Sequence, residues 1–231
     1  MTTIDDNLQA VRQRIAAACK AAGRDAAQVR LLAVAKTFAA ASVRQALDAG
    51  QRDVGENYIQ EAVAKMAELG AAAATWHCIG PIQGNKTRLV AEHFDWAQSV
   101  DRLRIAQRLS DQRPAHLPAL QLCIQVNTDG GPTKAGVTPD ALPELARAIM
   151  RLPRLQLRGL MTIPEPAPDF AAACALHARA RQLFDSLNAQ GMALDTLSMG
   201  MSADLEAAIH AGSTMVRVGT AIFGSRTGAA T

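Results

Sequence analysis

A lysine that directly follows a buried-looking apolar run is a candidate amine nucleophile, and Lys36 follows the run LLAVA. Burial disfavours the charged ammonium, and a neutral amine attacks a carbonyl carbon to form a Schiff base. Alternation along the run places Lys36 on the face of Leu32 and Val34, taken as the interior face. Taken locally, the same pattern also fits a solvated lysine at a strand end. Two segments near the other end suit an anion. SMGMSADLEAAI (198–209) and RVGTAIFG (217–224) carry glycines that admit a close ligand and the hydroxyls of Ser198, Ser202 and Thr220. Turn and capping chemistry is the alternative, with Ser202 as a cap. Arg217, between two valines that alternate away from it, projects inward and must find an acceptor: a carboxylate such as Glu56 or Asp53, or a ligand nitrogen or anion. His77, in TWHCIG, fits either a satisfied core histidine or an acid/base group. No second histidine stands near it, so no metal site is expected.

These residues must be held by regular elements, and the chain alternates apolar runs with helical patterns throughout. VRLLAVAK, RDVG, TWHCIG, FDWAQS, LQLCIQVN, LQLRGLM, ALDTLSM and TMVRVG read as eight strands, with helices such as Glu56 to Leu69, Asp169 to Ala189 and Ser202 to Ala211 between them. Eight strands joined by helical crossovers predict an α/β fold, a single (β/α)8 TIM-type barrel spanning 1–231. An N-terminal helix at about 3–22, capped by Thr3 or Asp5 and stopped at Gly23, covers the barrel floor or stands in for a short final helix. In such a barrel the strand ends converge on one mouth, where Lys36, the GENY turn (55–58), His77, the IQVN segment, Met161, Ser198 to Ser202 and Arg217 to Gly219 belong.

Composition removes several classes. A net charge of +3 over 231 residues and 3% aromatics give no basis for nucleic-acid binding. Cys19, Cys78, Cys123 and Cys174 form no CxxC pair and read as reduced, mostly buried thiols. The amphipathic start is no secretory signal, and no stretch is apolar enough to cross a bilayer, which predicts no membrane association and a cytoplasmic protein.

The segments LLAVAKT, GENYIQE, WHCIGPIQGNKTR, GLMTIP and LSMGMSADLEAAIHAGSTMVRVGTAIFG resemble the pyridoxal 5′-phosphate (PLP) homeostasis protein family, also called PROSC or YggS-like proteins, over about residues 30–226. The resemblance implies the fold type III PLP-binding barrel, similar to the N-terminal domain of alanine racemase. It implies PLP as cofactor, with Lys36 as the aldimine lysine and Arg217 facing the pyridine nitrogen. Ser198, Gly219 and Thr220, helped by Gly200, would hold the phosphate. Asn57 and His77 would line the pocket near the ring, with Met199 and Met161 as further candidates. TDGGPTKAGV departs from the family's usual loop, which leaves Lys134 without an assigned role. A cationic Arg217 disfavours protonation of the pyridine, and the tyrosine base that related racemases take from a second domain is not expected here, since Tyr58 is the only tyrosine. The expectation is a monomeric PLP carrier of vitamin B6 and amino-acid homeostasis, without efficient turnover, with PLP-dependent apoenzymes as possible recipients. The alternatives are a small amino-acid racemase using Lys36 and His77, and a Schiff-base aldolase acting on a sugar phosphate. Lys86 and Lys134 are candidates for a secondary PLP or phosphate contact.

Overall fold

The computed structural model describes residues 2–70, 74–130 and 135–224. In chain order the elements are α1 (Ile4–Ala21), β1 (Arg30–Val34), α2 (Ala40–Asp48), β2 (Asp53–Glu56), α3 (Ile59–Leu69), β3 (Thr75–Cys78), α4 (Thr87–His93), β4 (Trp96–Val100), α5 (Leu103–Gln112), β5 (Leu120–Gln125), α6 (Leu142–Met150), β6 (Leu155–Met161), α7 (Phe170–Ala189), β7 (Thr196–Ser198), α8 (Leu205–His210), β8 (Met215–Val218) and α9 (Thr220–Phe223). The strands are parallel and close in the order β1 to β8, as the alternation predicts. Closure runs through β1 and β8, where Leu32 lies opposite Arg217 and Ala33 opposite Val218.

Thr3 caps α1 in a reciprocal capping box with Asp6, and Gly23 follows its end at φ 65°. The α1 face of Leu8, Val11 and Ile15 packs on Leu205, Ile209, Val216 and Ile222. Asn7 Nδ2 donates to the Ile222 carbonyl (2.9 Å), and Arg14 pairs with Glu206 (2.8 Å) and donates to the Ser202 carbonyl (3.0 Å). One turn of α9 cannot cover β8. The leading helix therefore stands in for the final one rather than covering the floor.

Two helices begin later than the sequence pattern suggests. Glu56 ends β2 instead of opening α3, because its carboxylate is buried against Lys65 (2.7 Å). Ser202 does not cap α8. Asp204 occupies that position, and its Oδ1 accepts from the Met201 amide (2.6 Å).

Each strand turns one set of side chains to the helices, among them Val54, Cys78, Ala97, Ile124, Leu160 and Leu197. The opposite set fills the barrel, and it is unusually polar for such an interior: His77, Gln98, Ser198 and Arg217 lie there fully buried. Trp96, Cys123 and Met161 form a small apolar cluster among them, with Trp96 stacked on His77 (5.1 Å between ring centroids).

Gly159 lies opposite Thr196 and beside an irregularity in the β5–β6 register. A Cβ there would stand 1.6 Å from the Thr196 carbonyl oxygen. Backbone cannot yield as a flexible side chain does, so Gly159→Ala is expected to cost about 3 kcal/mol. Denaturant unfolding measures it. A loss under about 1 kcal/mol would mean that β6 and β7 separate easily.

Candidate functional site at the barrel mouth

Lys36 sits two residues past β1, in a turn closed by the Phe38 amide donating to the Ala35 carbonyl (3.1 Å). It is exposed, so the desolvated setting expected for its amine is absent; only the strand beneath it is buried. The turn is nevertheless tightly held. Lys65 Nζ donates to the Ala35 carbonyl (2.9 Å), and Phe38 stacks on Phe223 of α9 (5.0 Å), tying the lysine turn to the segment after β8. Thr37 adopts φ 70°, a conformation that costs a β-branched residue of order 1–3 kcal/mol and persists only where surroundings impose it.

Arg217 is 4% exposed. Neither carboxylate considered from the sequence reaches it: Glu56 faces α3, and Asp53 pairs with Arg30 and with His77 (2.9 Å). Its guanidinium instead donates to Ser198 Oγ (2.9 Å) and to the Thr162 carbonyl (2.8 Å), while its amide donates to the Gly200 carbonyl (2.9 Å). Burial pushes Arg217 down to about 10, with the charge of Asp204 opposing the shift. It still holds its proton at neutral pH. The carbonyl that meets Arg217 belongs to Thr162, whose hydroxyl is buried without a hydrogen-bond partner among the described residues.

The loop after β7 is pinned from behind. His177 of α7 meets Asp204 Oδ2 (2.9 Å), and this bond together with that from the Met201 amide outweighs burial and holds the Asp204 carboxyl below the usual range. Gly200 takes φ 90°, and a Cβ on it would lie 2.4 Å from that of Ala208. Gly219 leaves its backbone bare against β1, its Cβ position 3.1 Å from the Val34 carbonyl oxygen. The helices after these loops are six and four residues long, so the loop backbone, rather than a helix dipole, must take an anion.

Lys36, Thr162, Ser198, Gly200, Arg217, Gly219 and the exposed Thr220 thus gather where β1 and β6 to β8 end. Asn57 lies in an adjoining open cleft of about 460 Å³, with Tyr58, Gln83 and Lys86. Three predicted residues are placed differently. Met199 is turned outward into the helix-facing core, since it follows the inward Ser198. Met161 ends β6 level with Ser198 but is fully buried, packed with Trp96 and Cys123. His77 is completely buried, and burial lowers its pKa against the pull of Asp53. Gln98 and Ser198 separate it from Arg217. Ser198 itself points to Gln98 and Arg217, so its hydroxyl is already engaged. Lys134 lies outside the described residues.

Sequence reasoning missed Thr162, Gln98 and Lys65. Thr162, just past the end of β6 in GLMTIP, was within reach of the strand-end rule; nothing local marks the other two. The expected inert thiols are found: Cys19, Cys78 and Cys123 are buried, and burial pushes Cys78 and Cys123 to about 12. Among the described residues no group of His, Cys, Asp and Glu could hold a metal, and no helix is long and apolar enough to cross a membrane.

The residues present fit PLP. A buried cation with uncommitted N–H groups awaits a neutral acceptor, two glycines leave bare backbone for an anion, and an exposed amine stands just past the end of the neighbouring strand. The pattern of the family "Alanine racemase, N-terminal domain" matches residues 7–227. The pyridoxal phosphate homeostasis protein of Pseudomonas aeruginosa is 59% identical over 226 residues, covering 98% of this chain and 97% of that protein. PipY of Synechococcus elongatus, solved with PLP bound, superposes with a TM-score of 0.84 at 39% identity, covering 96% of this chain and all of that one. Alanine racemase of Corynebacterium glutamicum shares the fold at 16% identity and a TM-score of 0.69, and this chain covers 63% of it. With close identity along nearly its whole length, the chain belongs to the pyridoxal phosphate homeostasis protein family, within the wider group built on the alanine racemase N-terminal barrel.

Proposed function

We propose that this protein binds PLP at the barrel mouth and carries it for vitamin B6 and amino-acid homeostasis, without efficiently turning over a substrate. The observation that carries this is the buried Arg217, which meets no carboxylate among the described residues and lies on the strand paired with the one that leads to Lys36. PLP supplies an aldehyde that joins an amine reversibly and a pyridine ring that withdraws electrons best when its nitrogen is protonated. Lys36 supplies the amine. Arg217, a cation at neutral pH, would face the pyridine nitrogen and there disfavour its protonation, leaving the ring a weak electron sink. The backbone at Gly200, Gly219 and Thr220 would hold the phosphate, and Asn57, in the adjoining cleft, would line the pocket near the ring.

The surroundings also disfavour proton transfer. Both nitrogens of His77 are engaged inside the barrel, and its depressed pKa removes the cation that a general acid would need. Tyr58, which lines the open cleft, is about half exposed, and no hydrogen bond or ring contact is found for its side chain among the described residues. Residues 1–231 form one domain in this reading, acting as a cytoplasmic monomer that releases PLP to apoenzymes.

The purified protein should gain a visible absorption band on addition of PLP. After borohydride reduction, peptide mapping should place the pyridoxyl group on Lys36. A label at Lys86 or Lys134 in addition would reveal a secondary contact, and a label absent from Lys36 would end the proposal. Rapid exchange of an amino acid's α-deuterium would favour the racemase reading instead.

A further inference from the structure

Arg217 can donate to Ser198 only while the Ser198 hydroxyl hydrogen points elsewhere, and a continuous set of buried contacts decides that it does. Ser198 Oγ donates to Gln98 Oε1 (2.7 Å). Gln98 Nε2 contacts His77 Nδ1 (2.9 Å) and Met215 Sδ (3.2 Å), and His77 Nε2 meets Asp53 Oδ1 (2.9 Å), which also takes Arg30.

The direction of every hydrogen in this chain follows from its lower end. Asp53 is ionised: burial opposes that, but His77 and Arg30 outweigh it and hold its carboxyl below the usual range. A carboxylate accepts only, so the single proton of neutral His77 sits on Nε2. Nδ1 is then an acceptor and requires the amide nitrogen of Gln98. The amide oxygen must face Ser198, whose hydrogen is thereby spent, leaving its lone pairs to Arg217. Reversing Gln98 would set its oxygen against both the unprotonated Nδ1 and the Met215 sulfur. Five side chains from β8, β7, β4, β3 and β2 thus have one consistent arrangement.

We propose that Gln98 is a positioning residue for the PLP site: acting through Ser198, it holds the Arg217 guanidinium in the orientation that faces the ligand, and His77 belongs to the same device rather than to the ligand pocket. This rests on the functional reading above. It gives the buried histidine a role that its distance from the mouth otherwise denies, and it makes Ser198 a support of the arginine rather than a phosphate ligand.

The test uses the full-length protein. In the unliganded state, 15N-histidine NMR should show His77 as the Nε2–H tautomer, and Gln98→Met should move the Nδ1 resonance by removing its donor. With PLP loaded, Gln98→Met and Ser198→Ala should each speed PLP release about tenfold, the scale of one hydrogen bond to a charged group. The double variant should release no faster than either single one, because both break the same connection. Gln98→Glu, which restores an acceptor to Ser198, should return release to within about threefold of wild type and add a proton at His77 Nδ1 while Asp53 keeps the one on Nε2. It also serves as the informative variant if Gln98→Met does not fold. A His77 found with its proton on Nδ1 in the wild-type protein, single effects that multiply, or release unchanged in folded Gln98→Met would each overturn the proposal. If the wild-type protein takes up no PLP, the reading of the site fails, while the tautomer measurement still decides the hydrogen-bond chain.

Discussion

Lys36→Ala should leave the barrel as stable as wild type while weakening PLP retention about 100-fold or more, roughly 2.7 kcal/mol. The side chain is exposed, with no hydrogen bond or ion pair found for it among the described residues, so its removal should change stability by no more than about 0.5 kcal/mol. The turn that carries it is held by its neighbours: Phe38 through its amide and its ring, and Lys65 through the Ala35 carbonyl. What the variant loses is the covalent link. Arg217, Thr162 and the glycine loops remain, so weak residual binding is expected without a borohydride-stable adduct. Equilibrium dialysis against PLP, paired with thermal unfolding, separates the two effects. Retention equal to wild type would show that the amine is not the anchor.

Lys65→Met should cost about 3–5 kcal/mol at pH 8, more than any surface substitution in this chain. Glu56 is completely inaccessible, one of its oxygens has no partner, and Lys65 is the cation that meets the other. Taking away that cation leaves a buried, uncompensated carboxylate. The penalty should shrink on acidification, for a definite reason. Burial already raises the Glu56 pKa in the folded protein, and Lys65 opposes the rise. Without Lys65 the folded-state value climbs further above the unfolded one. Between those two values the folded state binds more protons than the unfolded, so the variant loses stability as pH rises and recovers it as pH falls toward 4.5. Urea unfolding at pH 5 and pH 8 should therefore give a clearly smaller difference from wild type at pH 5. Equal differences would mean that the carboxylate finds water or another donor once Lys65 is gone. Replacing both members, Glu56→Leu with Lys65→Met, should restore most of the stability, since neither charge is then buried. It should still loosen PLP, because the Ala35 carbonyl next to the lysine turn loses its donor.

The two predictions concern residues of very different visibility in the sequence. Lys36 stands after an apolar run, at a point where the β/α alternation requires a strand to end. Lys65 lies within a helical pattern like any other lysine, and Glu56 looked like the start of that helix. Only when α3 packs across β1 and β2 does the pair become a buried link between the second turn of a helix and the lysine-bearing turn.

By itself the sequence determined the eight-stranded barrel, the position of Lys36 just after β1, the glycines of the loops after β7 and β8, and the inward direction of Arg217. All of these follow from local periodicity and turn chemistry, which need no partner distant in the chain. Strand alternation alone could also have excluded Met199 once Ser198 was placed inward. The tertiary structure alone decided what Arg217 touches, which way the Ser198 hydroxyl points, and that His77 serves the interior rather than the mouth. Those outcomes depend on Gln98 meeting Ser198 a hundred residues away and on β8 closing against β1. The acceptor of a buried donor is whatever the closed barrel brings within hydrogen-bonding distance, and a sequence read from one end to the other does not contain that distance.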